Sequence, residues 1–259
     1  MTLYLRLSDT DLCAALYQPG RRDTFESAAY HLNPQVSLVT NLRDALAQVS
    51  LFQQPHDKVE VLANSMVTPV PLAEFQEEDA PCLWRYCFTH TGHERVFYDT
   101  VPAVNVVVLY ALEEPDCQAL EEVFGPVRFK SSLAAVIQHF ATKALSVTHG
   151  KRMFVLVHGA SVDVLAYEDN RLLTVNTYKV RALTDMAYYA LNLAHHLGVD
   201  VKADPFFVAG ETHMRDTAVH ELQQYAARVY AVSPEADFNR HPISVAPGVP
   251  FDLMCALLK

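Results

Sequence analysis

Apolar and polar positions change places in three short runs between residues 152 and 178. Residues 152–158 (RMFVLVH) form a compact apolar run, 161–168 (SVDVLAYE) alternate with period two, and 171–178 (RLLTVNTY) follow after Glu168, Asp169 and Asn170. Period-two alternation marks a half-buried strand, and acidic or amide residues tolerate the positive φ of a tight turn. The pattern predicts a three-stranded antiparallel meander. In 181–200, Leu183, Met186, Ala187, Ala190, Leu191 and Leu197 recur at helical spacing, with Thr184 and Asp185 at the opening and Gly198 at the stop position. Residues 205–210 (PFFVAG) read as a short strand, 214–230 as a helix and 250–259 (PFDLMCALLK) as a short terminal helix. The predicted order from 152 to 230 is β-β-β-α-β-α.

The first half opens on the same plan. Residues 3–17 (LYLRLSDTDLCAALY) lie over 154–167 (FVLVHGASVDVLAY), each with a polar turn in the middle and small residues before a closing Tyr. Residues 28–32 (AAYHL) correspond to 172–176, and 37–49 (SLVTNLRDALAQV) to the helix after Leu183. Such an internal repeat gives both halves one architecture. A strand from Val59, a Pro-fixed turn and a second strand or helix start up to Phe75 are expected next, then strand-like residues 95–112. A helix over 115–124, a strand near Val127 and a helix over 131–146 complete it. Trp84, Tyr86 and Phe88 alternate in 83–88 (LWRYCF) and predict a strand with its aromatic rings on one side. Two units, 1–150 with an extra segment near 55–95 and 151–259, are expected to meet near residue 150.

Composition narrows the class. A chain of 259 residues that is 51% hydrophobic has ample material for a core. Its net charge is −10 with Lys and Arg spread along the chain, the wrong sign for nucleic acid. The longest apolar stretch, 101–112, falls well short of the roughly 20 residues that span a bilayer, and Arg6, Asp9 and Asp11 interrupt the opening residues. A cytoplasmic protein without membrane insertion is expected. Five scattered cysteines with no C-x-x-C pair suit buried thiols in a reducing compartment. No metal set emerges, because His90 with His93 and His195 with His196 each lack a third ligand nearby. Eight glycines leave few loops able to wrap a phosphate with bare backbone.

The doubled βββαβα unit, with a hairpin turn of small and acidic residues in each half, resembles the actin, Hsp70 and sugar-kinase superfamily. It looks most like the compact bacterial members that include type IV pilus and type II secretion proteins. Residues 169–191 (DNRLLTVNTYKVRALTDMAYYAL), 61–71 (VLANSMVTPVP) and 250–259 resemble an uncharacterised bacterial family with an actin-like fold and no assigned activity. The resemblance implies an α/β, actin-like ATPase (ribonuclease H-like) fold with two similar βββαβα lobes facing a central cleft. It further implies phosphate loops at 8–13 and 158–163, an adenosine turn at 209–212, and Mg·ATP as the ligand that working members hold there.

Each implied loop departs from the superfamily pattern. Asp9 could stand for the metal-organising carboxylate, but Asp11 replaces a glycine and adds like charge where phosphate oxygens would approach. His158 replaces an acidic residue, Gly159 alone remains of the second loop's glycines, and Ser161 and Asp163 match loosely. At the third position Gly210 is followed by Glu211. The expectation is a degenerate nucleotide site without bound cofactor, on a non-catalytic scaffold or adaptor that meets a protein partner in an undetermined oligomeric state. A divergent ATPase or small-molecule kinase holding Mg·ATP in the cleft is the alternative. A hydrolase centred on His158, Ser161 and Asp163 is the second alternative, although the turn lacks the G-x-S-x-G elbow such a nucleophile needs.

Overall fold

A computed structural model describes residues 1–18, 25–144 and 150–258. Period-two alternation produces β1 (Thr2–Leu7), β2 (Asp11–Tyr17) and β3 (Glu26–His31), followed by α1 (Leu38–Gln48), whose first turn is capped by the Ser37 hydroxyl accepting the Thr40 N–H. After β4 (Lys58–Ala63) the chain leaves to form β5 (Val67–Pro71), α2 (Ala80–Cys87), β6 (Glu94–Val101) and β7 (Val106–Glu113). It returns through α3 (Glu114–Phe124), β8 (Val127–Ser131) and α4 (Ser132–Ala144). The second half runs β9 (Lys151–His158), β10 (Ser161–Glu168), β11 (Arg171–Lys179), α5 (Leu183–His196), β12 (Phe206–Gly210), α6 (Thr212–Gln223) and β13 (Val229–Ala231). Two short helices, α7 (Pro234–Asp237) and α8 (Pro242–Val245), lead to α9 (Phe251–Leu257).

The two five-stranded sheets have one topology. In the order β3-β2-β1-β4-β8 the first three strands form an antiparallel meander, and β4 and β8 add in parallel beside β1. The order β11-β10-β9-β12-β13 repeats that arrangement strand for strand. This is the doubled α/β unit expected from the repeat. The meander turn between β10 and β11 places Asp169 at φ 51°, as its residue type allows.

Each sheet has an outer and an inner face. Leu3, Leu5, Leu12, Val59 and Val61 pack outward on Leu42 of α1 and Leu120 of α3. Val155, Val164 and Val208 pack outward on Met186 and Ala190 of α5 and on Leu222 of α6. The inner faces share one core in which Cys13, Ala15, Leu62, Phe154, Leu165 and Tyr167 close on α4 and α9. All seven residues of α9 are buried. The molecule is therefore helix, sheet, helix, sheet, helix in section.

The third sheet, β5-β7-β6, lies between β4 and α3 in the chain. Lys58–Ala63 belongs to the first five-stranded sheet, so the interruption begins after Ala63 and ends at Glu113 rather than spanning 55–95. Asp99 ties this sheet to its neighbour by accepting from Lys130 Nζ and, at 2.7 Å, from the Ser131 N–H. Residues 83–88 are not a strand. They fall mostly in α2, where Pro81 stands in the first turn and Trp84 packs at a tilt on Phe88, one helical turn on, with ring centroids 4.2 Å apart. Trp84 is buried while Tyr86 is 91% exposed, so the three aromatics do not share a face. The helix predicted over 214–230 ends at Gln223, and Val229–Ala231 joins the second sheet. Cys13, Cys117 and Cys255 are buried free thiols, but Cys82 and Cys87 are exposed. Leu145 and Ser146, expected to end a helix, lie outside the described residues, as do the residues leading to the expected join near 150.

Two glycines are required for different reasons. Gly159, in the β9–β10 turn, has φ +50° with open space where a Cβ would stand. Gly210 has φ +133° and a Cβ there would lie 2.1 Å from the Val157 carbonyl oxygen on the neighbouring strand. Gly159→Ala should cost about 1 kcal/mol through backbone strain alone. Gly210→Ala should cost about 3 kcal/mol or more, since strain and overlap with rigid backbone add. Urea midpoints for the two variants check this; equal midpoints would show that close packing at Gly210 is incidental.

Candidate functional site

The inner-facing ends of β1 and β9 meet across the interlobe cleft. Leu3 and Leu5 point outward, so Tyr4 and Arg6 point inward, and Arg6 is the last inward residue of β1 before the turn. Arg6 is buried, and its Nε donates to both carboxylate oxygens of Asp252 on α9, at 3.0 and 2.8 Å. Burial opposes the charge on Arg6, but the Asp252 carboxylate outweighs it and raises the guanidinium pKa above its ordinary value. Beside it in register, burial pushes the Cys13 thiol up to about 11.

Across the cleft, His158 Nε2 lies 2.6 Å from Asp163 Oδ2, and Asp163 Oδ1 accepts from the Thr177 hydroxyl at 2.6 Å. His158 Nδ1 faces Asn64 Nδ2 at 3.1 Å. The geometry assigns the ring proton to Nε2, donated to Asp163, with Nδ1 accepting from the Asn64 amide. Asn64 follows β4, and its own N–H donates to the Leu7 carbonyl, so this hydrogen bond joins one lobe to the other. Burial disfavours a charged imidazole, yet Asp163 more than compensates, and the His158 pKa is raised.

Of the eight residues the sequence singled out, the structure brings His158 and Asp163 into direct contact. Ser161 opens β10 opposite His158, but among the described residues no hydrogen bond joins its hydroxyl to the ring, whose two nitrogens are already engaged. Asp9 lies at the exposed rim, 3.9 Å from the equally exposed Lys179 of the other lobe. Asp11, on the same face of β2 as Cys13, is held by Thr10 and by His31 Nδ1, 2.8 Å away. Partial burial works to raise the Asp11 pKa, but hydrogen bonds from Thr10 and His31 outweigh it and hold the carboxyl below its ordinary value. The first turn uses its own donors, because the N–H groups of Ser8 and Asp11 both bond within it. Gly159 forms the second turn, Gly210 is taken up by contact with Val157, and Glu211 is exposed before α6. A cavity of about 430 Å³ lies elsewhere, walled in part by Glu60, Asp99, Lys130 and His139, and none of the eight lines it.

Arg6, Asp252, Asn64 and Thr177 were not among the expected site residues. Arg6 carried a signal, a charged side chain at an inward position of an alternating strand; its partner stands 246 residues away and carried none.

Residues 1–229 match the model of a family described as a protein of unknown function, DUF3822. No curated protein matches the chain. Among solved structures, a Bacteroides thetaiotaomicron protein with an actin-like ATPase fold and unknown function is similar with a TM-score of 0.81 and 24% identity, over 92% of this chain and 94% of that one. The PilM–PilN type IV pilus biogenesis complex matches with a TM-score of 0.65 and 12% identity, over 99% and 97%. The ethanolamine utilization protein EutJ from Carboxydothermus hydrogenoformans matches with a TM-score of 0.50 and 11% identity, over 99% and 89%. The fold is the actin-like ATPase fold.

Two stability predictions follow from the cleft. Asp252→Asn leaves Arg6 buried without a counter-charge and should cost about 3 kcal/mol or more, whereas the paired change Arg6→Met with Asp252→Leu should recover much of that loss. Chemical denaturation of the single and double variants decides it, and an additive double variant would refute the coupling. His158 has a raised folded pKa, so its pairing with Asp163 stabilises fully below the unfolded value of about 6.5 and loses that contribution as pH rises through the folded value. The stability gap between wild type and His158→Gln should be wider at pH 5.5 than at pH 8.5, read from urea midpoints.

Proposed function

The chain belongs to the DUF3822 family, and on that footing we propose that it is a non-catalytic scaffold or adaptor that keeps the actin-like body and acts through a protein partner. One observation carries the reading. The inward position at the end of β1 holds an arginine bound to the chain's own Asp252. A Mg·nucleotide needs carboxylates there for the metal and bare backbone for the phosphates. Neither requirement fits the residues present. Asp163 is engaged by His158 and Thr177, Asp11 faces His31, and Ser8 and Asp11 spend their N–H groups inside the first turn.

The similar PilM structure is a complex with PilN, which supports a protein as the partner class. Among the described residues no helix is long and apolar enough to cross a membrane. All five cysteines are free thiols, which suits a reducing compartment and supports a cytoplasmic assignment.

The purified chain should bind Mg·ATP no tighter than about millimolar and release no phosphate above background, because the fixed carboxylates oppose the ligand's charge. Calorimetry and a phosphate-release assay test this. Saturable micromolar binding that Asp9→Ala abolishes would overturn the scaffold reading in favour of a divergent ATPase or kinase.

A further inference from the structure

We propose that the interlobe cleft binds one oxyanion group, a carboxylate or a phosphate, on the terminal fork of Arg6 without a metal ion. Arg6 is buried, with 7% of its side chain exposed, and its Nε is committed to Asp252. The two Nη groups make no hydrogen bond with any described residue, and neither is sealed from solvent. Four N–H donors on a buried, charged group thus reach the space between the lobes. Such donors are costly to leave unpaired, and the strongest partner for a planar guanidinium is an oxyanion taken by two parallel N–H bonds.

The surroundings fix what kind of anion fits. Asp252 grips Nε and also accepts the Leu253 N–H at 2.9 Å, so the guanidinium is held in place before any ligand arrives. His158 stands close enough for Arg6 to act on its protonation, with its own ring nitrogens held by Asp163 and Asn64. The acidic groups facing this cluster are Asp252, Asp163, Asp11 and Glu211. Three of them are engaged, by Arg6, by His158 with Thr177, and by Thr10 with His31. Arg6 and Asp252 cancel in charge and Asp163, Asp11 and Glu211 add negative charge around them, so the cleft offers directional donors without a positive field. That combination suits a single small oxyanion and disfavours a polyphosphate.

The test uses the whole chain with inorganic phosphate and acetate as separate probes, at constant ionic strength and in EDTA. In ¹H–¹⁵N spectra of the wild type, the Arg6 side-chain signals should move saturably with at least one probe, and which probe moves them names the ligand class. Arg6→Lys keeps a charge for Asp252 but loses the fork, and should weaken that binding tenfold or more. Arg171→Ala removes one arginine from the distant β10–β11 turn and should leave it within twofold. The proposal is overturned by wild-type signals that do not move, by Arg6→Lys binding as tightly as wild type, or by binding that requires Mg²⁺. Should Arg6→Lys fail to fold, the wild-type titration decides alone. The inference goes beyond the scaffold reading: absent phosphate and acetate binding ends this proposal only, and micromolar Mg·ATP ends that reading only.

Discussion

Neither five-stranded sheet has a cover of its own for its inner face, and both close on a single shared layer, α4 and α9. The cost of that economy falls on α9. A seven-residue helix with every residue buried must carry its one charged side chain, Asp252, into the interior. An unpaired carboxylate there would cost several kcal/mol, so a cation has to meet it, and the last inward position of β1 is where the sheet can supply one. Arg6 and Asp252 join the first strand to the terminal helix across nearly the whole length of the chain. The ion pair and the shared core are one solution to one packing problem.

That solution is not the most stable one available. A buried ion pair is commonly matched or exceeded in stability by well-packed apolar residues of similar volume. Around it stands a second polar set, His158, Asp163, Thr177 and Asn64, joined by hydrogen bonds and again at the strand ends where the lobes face each other. Between this set and Arg152, buried at the far end of β9, the layer is largely apolar, from Ala15 and Leu62 to Phe154 and Tyr167. A linked polar set of this kind at the mouth of the cleft is what a site requires and what a core does not.

Much of the architecture was legible because it rests on local pattern. The β9–β10–β11 meander follows from period-two alternation and from a turn residue, Asp169, that accepts positive φ. Helix α2 was misread because Trp84, Tyr86 and Phe88 alternate, and alternation over six residues is too short to outweigh Pro81 in a first turn and the one-turn spacing of Trp84 and Phe88. The candidate site was only half legible. His158 and Asp163 are five residues apart on one hairpin, so their contact is local. Asn64, Thr177 and Asp252 reach the cleft through strand register and helix docking, which no single stretch of sequence encodes. Asp9 and Asp11 look like metal-organising carboxylates by position in the turn, but pairing of β2 with β3 gives Asp11 to His31, and Asp9 stays at the rim.

The glycines explain why this cleft must recognise by side chain if it recognises at all. A backbone cradle needs glycines whose missing Cβ leaves room for ligand oxygens. Gly210 has that room filled by the Val157 carbonyl, and the first turn has Asp11 in place of glycine with the N–H groups of Ser8 and Asp11 already bonded. A backbone cradle follows a chain of phosphates and takes its charge balance from a metal. A guanidinium fork reads one planar or tetrahedral group through two parallel bonds and brings its own charge. Replacing the first device with the second changes the kind of molecule the cleft can distinguish, while the two lobes and the layer between them stay as the fold requires.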